Sequence, residues 1–238
     1  MTQQAREIQS NQVAPHDNLE ALVNKHKHTA FQRPIAEHTK AAFEQMLAFL
    51  STWDSDVVID ACCGVGQSTL KLCEKHPKAK IIGIDKSLSR IEKHNHYQST
   101  HASTAQRFDQ YLIVQADLND FWRLLSTYLH GNKKTLQWRI TKQYLLYPNP
   151  YPKKSQVGKR WHASPVFPNM LECCSNIELR SNWKVFVEEF VIAMGIYALT
   201  MTCEQILLNS PNDAITPFER KYALSGQALW IGTTLDEG

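Results

Sequence analysis

The stretch Val57-Val58-Ile59-Asp60-Ala61-Cys62-Cys63-Gly64-Val65-Gly66-Gln67-Ser68-Thr69 constrains the chain most. A β-branched run leads into an acid and a small-residue turn, and helix formers follow to His76. This pattern predicts a strand, a tight turn and a helix start. Gly64 and Gly66 permit positive φ and a close approach of a ligand to the backbone. The helix beyond them offers free N–H groups and the positive end of its dipole. A second strand pattern, Lys80-Ile81-Ile82-Gly83-Ile84-Asp85, also ends in a carboxylate. Asp85 follows Gly66 by 19 residues, close to the spacing of about 20 at which an acid meets a ribose in a βαβ nucleotide site.

Two cofactor classes use such a layout. A dinucleotide site needs a third glycine, where this chain has Gln67-Ser68-Thr69. Asp60 would also repel a diphosphate, whereas it suits a cation. S-adenosylmethionine carries an ammonium and a sulfonium and no phosphate. The stretch resembles motif I of the S-adenosylmethionine-dependent methyltransferases, with Cys62 at the first glycine, so that turn is expected to adopt a conformation open to a side chain. The bland alternative is an ordinary strand–turn–helix.

At 238 residues the chain is expected to form one domain with extensions. Residues 1–33 read as a flexible polar and basic arm, and 34–238 as a single domain. No apolar stretch has membrane-spanning length and residues 1–18 lack a signal-peptide pattern, so a cytoplasmic protein without membrane contact is expected. The six cysteines are then expected as reduced thiols. None has Cys-x-x-Cys spacing, so no metal site is expected. His26, His28, His94 and His96 read as solvated positions. A net charge of +3 carries no global nucleic-acid argument.

A helix is expected from Pro34, with apolar residues to Leu50 at helical spacing. Further helices are expected over residues 88–97, 118–130 and 183–199. Strands are expected at 111–115, 143–147, 176–179 and 228–235. This alternation predicts an α/β, Rossmann-like, doubly wound, mostly parallel sheet with an N-terminal helical extension. Ligands in such sheets lie beyond the carboxyl ends of the strands, where Asp60, Asp85, Asp117 and Asn149 fall.

The second informative stretch is Tyr147-Pro148-Asn149-Pro150-Tyr151-Pro152-Lys153-Lys154, followed by Lys159, Arg160 and Trp161. Prolines stiffen the loop, cations suit phosphates and aromatics suit bases. A solvated surface loop is the bland alternative. Here the chain resembles the bacterial tRNA (guanine-N7-)-methyltransferases. That family has Pro-Asp-Pro-Trp-x-Lys and then a basic run, where this chain has Pro148-Asn149-Pro150-Tyr151-Pro152-Lys153. The family's later Asp-Trp is Asn182-Trp183 here, and its Thr-x-Phe-Glu is Thr216-Pro217-Phe218-Glu219. The resemblance runs from about residue 34 to 235.

The resemblance implies S-adenosylmethionine as cofactor and RNA, expected to be tRNA, as partner. Asp60 would serve its methionine end, with Gly64 and Gly66 in the turn, Asp85 its ribose and Asp117 its adenine. Asn149 would stand at the transferred methyl. Lys153, Asn182, Thr216 and Glu219 would contact the substrate, and Lys154, Lys159 and Arg160 the RNA backbone. Two family aspartates are Asn149 and Asn182 here, which opens two alternatives. Asn149-Pro150-Tyr151 is similar to the Asn-Pro-Pro-Tyr of enzymes that methylate exocyclic amines. A paralogue that binds RNA or cofactor without turnover is the other. Either a monomer or a homodimer is compatible with the sequence.

Overall fold

The computed structural model describes residues 5–94 and 109–235. Two compact units divide it. One, the cofactor-motif unit, comprises Arg33–Tyr144 with Asn169–Cys174. The other, the proline-loop unit, comprises Met1–Gln32, Leu145–Pro168 and Ser175–Gly238.

In the cofactor-motif unit, the β-branched runs form β1 (Asp56–Ala61), β2 (Lys80–Asp85) and β3 (Tyr111–Gln115). They pair in parallel, with Val58 opposite Ile81 and Gly83 opposite Ile113. β1 and β2 are buried almost throughout, as strands covered on both faces are. Helix α2 (Glu37–Phe49) buries Thr39, Ala42, Phe43 and Met46. It packs on β3 and on α5 (Leu118–Asn132), where the Phe43 ring meets Phe121 edge to face. Helix α3 (Gln67–Lys75) lies against β2, where a Cβ on Gly83 would come within 2.7 Å of Thr69 Oγ1. Glycine in that strand is therefore a packing requirement. Helix α4 (Leu88–Ile91) is one turn, shorter than the expected 88–97, and residues 95–97 lie outside the described residues.

In the proline-loop unit, α1 (Leu19–Lys27) packs on α7 (Lys184–Ile196). Helix α7 also covers β5 (Ile177–Ser181) and β7 (Leu229–Thr233). β7 runs antiparallel between β5 and β6 (Glu204–Ile206). Helix α8 (Pro217–Leu224) precedes β7. Strand β4 (Arg139–Leu146) and helix α6 (Phe167–Cys173) each span a boundary of the division. The seven strands form one sheet in the order β3-β2-β1-β4-β5-β7-β6, the doubly wound, mostly parallel architecture expected from the alternation. No helix among the described residues is long and apolar enough to cross a membrane.

The N-terminal segment differs from the expected flexible arm. Leu19 and Val23 are buried, and so are Ala5 and Gln12. Two apolar residues one helical turn apart give α1 a docking face that the polar composition conceals. The helices α1, α6 and α8 and the short edge strand β6 are additions to the expected elements.

Candidate functional site

The turn after β1 brings the first group of expected site residues together. Gly66 has φ 76° and Gly64 φ 61°. A Cβ on Gly64 would meet no atom within 4 Å, which leaves space above that backbone. On Gly66 a Cβ would collide with the His94 ring and with Ile113. Cys62 departs from expectation. It retains a left-handed φ of 64° rather than a conformation open to a side chain, at a cost of roughly 1–2 kcal/mol for an L-residue. The glycine-like turn is kept although the glycine is not.

Asp60 is fully buried. Its Oδ2 accepts from Ser68 Oγ and Thr69 Oγ1, both at 2.7 Å. Its Oδ1 has no partner among the described residues. Burial drives the Asp60 pKa up to about 6, the two hydroxyls oppose that rise, and nearby Asp85 adds to it. A buried carboxylate oxygen left unpaired is costly unless a cationic or donor group meets it. Asp60 therefore fits the ammonium of S-adenosylmethionine, and the open space above Gly64 fits a ligand against the backbone.

Asp85 ends β2 and is almost fully buried. Its Oδ2 accepts the Gly64 N–H at 3.0 Å and its Oδ1 the Ser87 N–H at 2.8 Å. The carboxylate thus ties the glycine turn to the end of β2, and each oxygen retains a further lone pair for a ribose hydroxyl. Asp117 caps α5 by accepting from Asn119 N and pairs with Arg33 at 3.0 Å. Burial pushes its pKa up, but the Asn119 and Arg33 hydrogen bonds outweigh this and hold it below the usual range. His94 is buried rather than solvated, with Nδ1 3.0 Å from Val65 O and Nε2 3.0 Å from Tyr111 OH. His96 lies outside the described residues.

The proline loop carries the second group. Asn149 is exposed, and its Oδ1 accepts the Tyr151 N–H at 3.1 Å. Tyr147 and Tyr151 flank it with left-handed φ values of 55° and 46°. Beyond the loop the chain folds into 3-10 turns at Lys154–Lys159 and Trp161–Ala163. Lys153, Lys154 and Lys159 are exposed, with Lys154 Nζ 3.9 Å from Asp17 and Lys159 Nζ 6.0 Å from the Tyr151 ring centroid.

Arg160 does not join these lysines, which corrects its expected phosphate role. Its side chain has no solvent exposure, lies over the Trp183 ring and pairs with both oxygens of buried Glu189. Burial raises the Glu189 pKa, but His162 and Arg160 outweigh burial and hold it at about 2.

Glu219 also departs from expectation, being fully buried with its oxygens committed. It accepts from Tyr147 OH at 2.9 Å, Arg180 at 2.8 Å and Ile215 N at 2.6 Å. That arrangement leaves it as an anchor of the loop rather than a base contact. Thr216 caps α8 by accepting the Glu219 N–H at 2.9 Å. Asn182 donates to Gln227, whose amide in turn donates to Ala5 O.

Sequence reasoning missed Ser68, Thr69, Arg33, Arg180, Glu189 and Gln12. Ser68-Thr69 had a readable signal, since two hydroxyls open the helix that follows an acid. Glu189 had another, as one of the two adjacent acids between Phe186 and Phe190 on an apolar helix. Gln12 had none.

The family described as "Putative methyltransferase" matches residues 54–231. A trans-aconitate 2-methyltransferase of Acidovorax sp. (strain JS42) is 32% identical over 108 residues, 45% of this chain and 38% of its own length. A 23S rRNA (uracil(1939)-C(5))-methyltransferase of Colwellia psychrerythraea is 33% identical over 91 residues, 38% of this chain and 18% of its own length. The chain thus spans well under half the length of these relatives. The solved 16S rRNA methyltransferase KamB superposes with a TM-score of 0.54 at 16% identity, covering 87% of this chain and 98% of that one, which is a likeness of fold. Because the family match runs through both the glycine turn and the proline loop, over more than half of the chain, the chain belongs to this family of putative methyltransferases.

Proposed function

We propose that the protein methylates N7 of a guanine in tRNA. The carrying observation is the state of the Asn149 amide. Its Oδ1 already accepts the Tyr151 N–H. An exocyclic-amine enzyme needs that oxygen to receive the hydrogens of the reacting amine. What Asn149 has left to offer is one Oδ1 lone pair and its NH2 donor. The Hoogsteen edge of guanine presents two acceptors, O6 and N7, so the amide suits O6 while N7 reacts. The family match and the rRNA methyltransferases among the similar proteins support an RNA substrate.

S-adenosylmethionine, when bound, supplies a methyl group on a sulfonium. Asp60 would hold its ammonium and Asp85 its ribose, with Gly64 giving access to the backbone. Asp117 would remain an adenine contact only through the lone pairs that Arg33 and Asn119 leave. Guanine N7 has an available lone pair and no proton, so no strong general base is required. Positioning and electrostatic balance then supply the rate. Lys153, Lys154 and Lys159 would meet the RNA backbone. Thr216 and Asn182 act through the local structure they hold. The protein works as a monomer or a homodimer in the cytoplasm in this reading.

Single-turnover transfer of a labelled methyl to unfractionated tRNA tests it. Asn149→Asp keeps an acceptor for Tyr151 N–H, loses the O6 donor and adds a charge that favours the cationic ring. Its rate should stay within about tenfold of wild type. A loss of several hundredfold with a methylated exocyclic amine as the wild-type product refutes the proposal.

A further inference from the structure

The proline loop is held at both ends by side chains from elsewhere in its unit. Two of its residues, Tyr147 and Tyr151, are non-glycine residues in left-handed conformation. Such strain persists only where surrounding structure over-determines it. At one end, the Tyr147 hydroxyl donates to Glu219, which Arg180 also pairs. At the other end, Arg160 Nε and NH2 donate to Tyr151 O at 3.2 and 3.0 Å. The Ser10 hydroxyl donates to Pro152 O at 2.6 Å.

The Arg160 end is closed by the N-terminal segment. Glu189 Oε1 accepts from Arg160 at 2.7 Å, from the Gln12 amide at 2.6 Å and from the His16 N–H at 2.9 Å. Gln12 Oε1 in turn accepts from Arg160 NH2 at 2.9 Å. Gln12, Arg160 and Glu189 are all buried. Arg160 thus spends its guanidinium on one buried carboxylate, one amide and the carbonyls of the loop. Nothing in this arrangement leaves it a donor for a phosphate in solvent.

We propose that Ser10 on the Pro152 carbonyl, together with Gln12 and Arg160 gathered on Glu189, are positioning residues that fix the Asn149 loop. The N-terminal segment is thereby a working part of the site rather than a tether. The inference rests on the reading of Asn149 as the group facing the reacting base.

Two variants test it in the full-length protein. S10A/Q12A removes the two N-terminal side-chain contacts and leaves the ion pair and the His16 N–H in place. R160Q/E189Q removes both charges together, so that no unpaired charge is left buried. Amide exchange at Tyr151, whose N–H is held by Asn149 Oδ1, reads the loop directly. In S10A/Q12A it should quicken about tenfold or more, with β1 and β2 protection unchanged. On unfractionated tRNA, kcat should fall about tenfold with KM for tRNA held constant. In R160Q/E189Q the salt slope of tRNA binding should equal that of wild type, whereas loss of a phosphate contact would make it shallower by about one unit. Unchanged Tyr151 exchange in both variants, or a shallower slope in the second, overturns the proposal. Should wild type methylate no tRNA nucleoside, the functional reading falls, and exchange at Tyr151 still decides the anchoring.

Discussion

Cofactor affinity should depend on pH through Asp60. The carboxyl is fully buried, one oxygen has no partner, and its pKa is pushed up to about 6. Only the ionised form attracts an ammonium. With a pKa near 6, about nine-tenths of the groups are ionised at pH 7 and about one-tenth at pH 5. Affinity for S-adenosylmethionine should therefore weaken about tenfold between pH 7 and pH 5, or about 1.4 kcal/mol. Calorimetry in two buffers of different ionisation enthalpy would show release of about one proton per bound cofactor at pH 5 and almost none at pH 7. Asp60→Asn should bind weakly and nearly independently of pH. The ligand-free protein should respond in the opposite sense. A folded-state pKa raised above the unfolded value favours the protonated form, so stability present below pH 4 is lost as pH rises toward 6. The loss is about 3 kcal/mol. Equal affinity at pH 5 and pH 7, or the same pH dependence in Asp60→Asn, would refute the assignment of Asp60 to the ammonium.

Three other outcomes follow from the structure. Cys62→Gly should stabilise the protein by about 1 kcal/mol in chemical denaturation, because glycine adopts the left-handed turn without the Cβ clash; a destabilised variant would mean that the thiol's packing outweighs the strain. Neutralising Lys153, Lys154 and Lys159 together should make the salt slope of tRNA binding shallower by about two to three units, and an unchanged slope would make them ordinary surface lysines. Glu189, held at about 2, has a depressed folded-state pKa, so its stabilisation is complete above pH 4.5 and is lost as pH falls toward 2, by about 3 kcal/mol. Acid titration of Glu189→Gln should lack that component of the unfolding curve, and a curve parallel to wild type would argue against it.

The fold was legible because β1 and β2 are buried apolar runs and β3 a half-buried one, with turn chemistry between them. Periodicity suffices for such elements. The N-terminal helix α1 was not legible, since its docking face is only Leu19 and Val23 in a polar segment. The left-handed Cys62 was equally hidden, because a motif shows which residue stands at a turn and not which φ it accepts. In the site, the acids at the strand ends were readable by position. The partners that decide their chemistry were distant in sequence. Arg160 and Lys159 are neighbours in the chain, yet one is sealed against Glu189 and the other faces solvent. A basic run alone does not separate the two. Glu219 shows the same limit, since its match to the family motif gives no sign of the Tyr147 and Arg180 side chains that occupy it.

The most direct measurement is the identity of the methylated nucleoside. Unfractionated tRNA would be incubated with the wild-type protein and S-adenosylmethionine, digested to nucleosides and resolved by mass spectrometry against standards. The account predicts 7-methylguanosine, in smaller yield at limiting cofactor when Asp60→Asn replaces the wild type. A product of N6-methyladenosine or N2-methylguanosine, or no methyl incorporation by a folded protein that binds the cofactor, would contradict it.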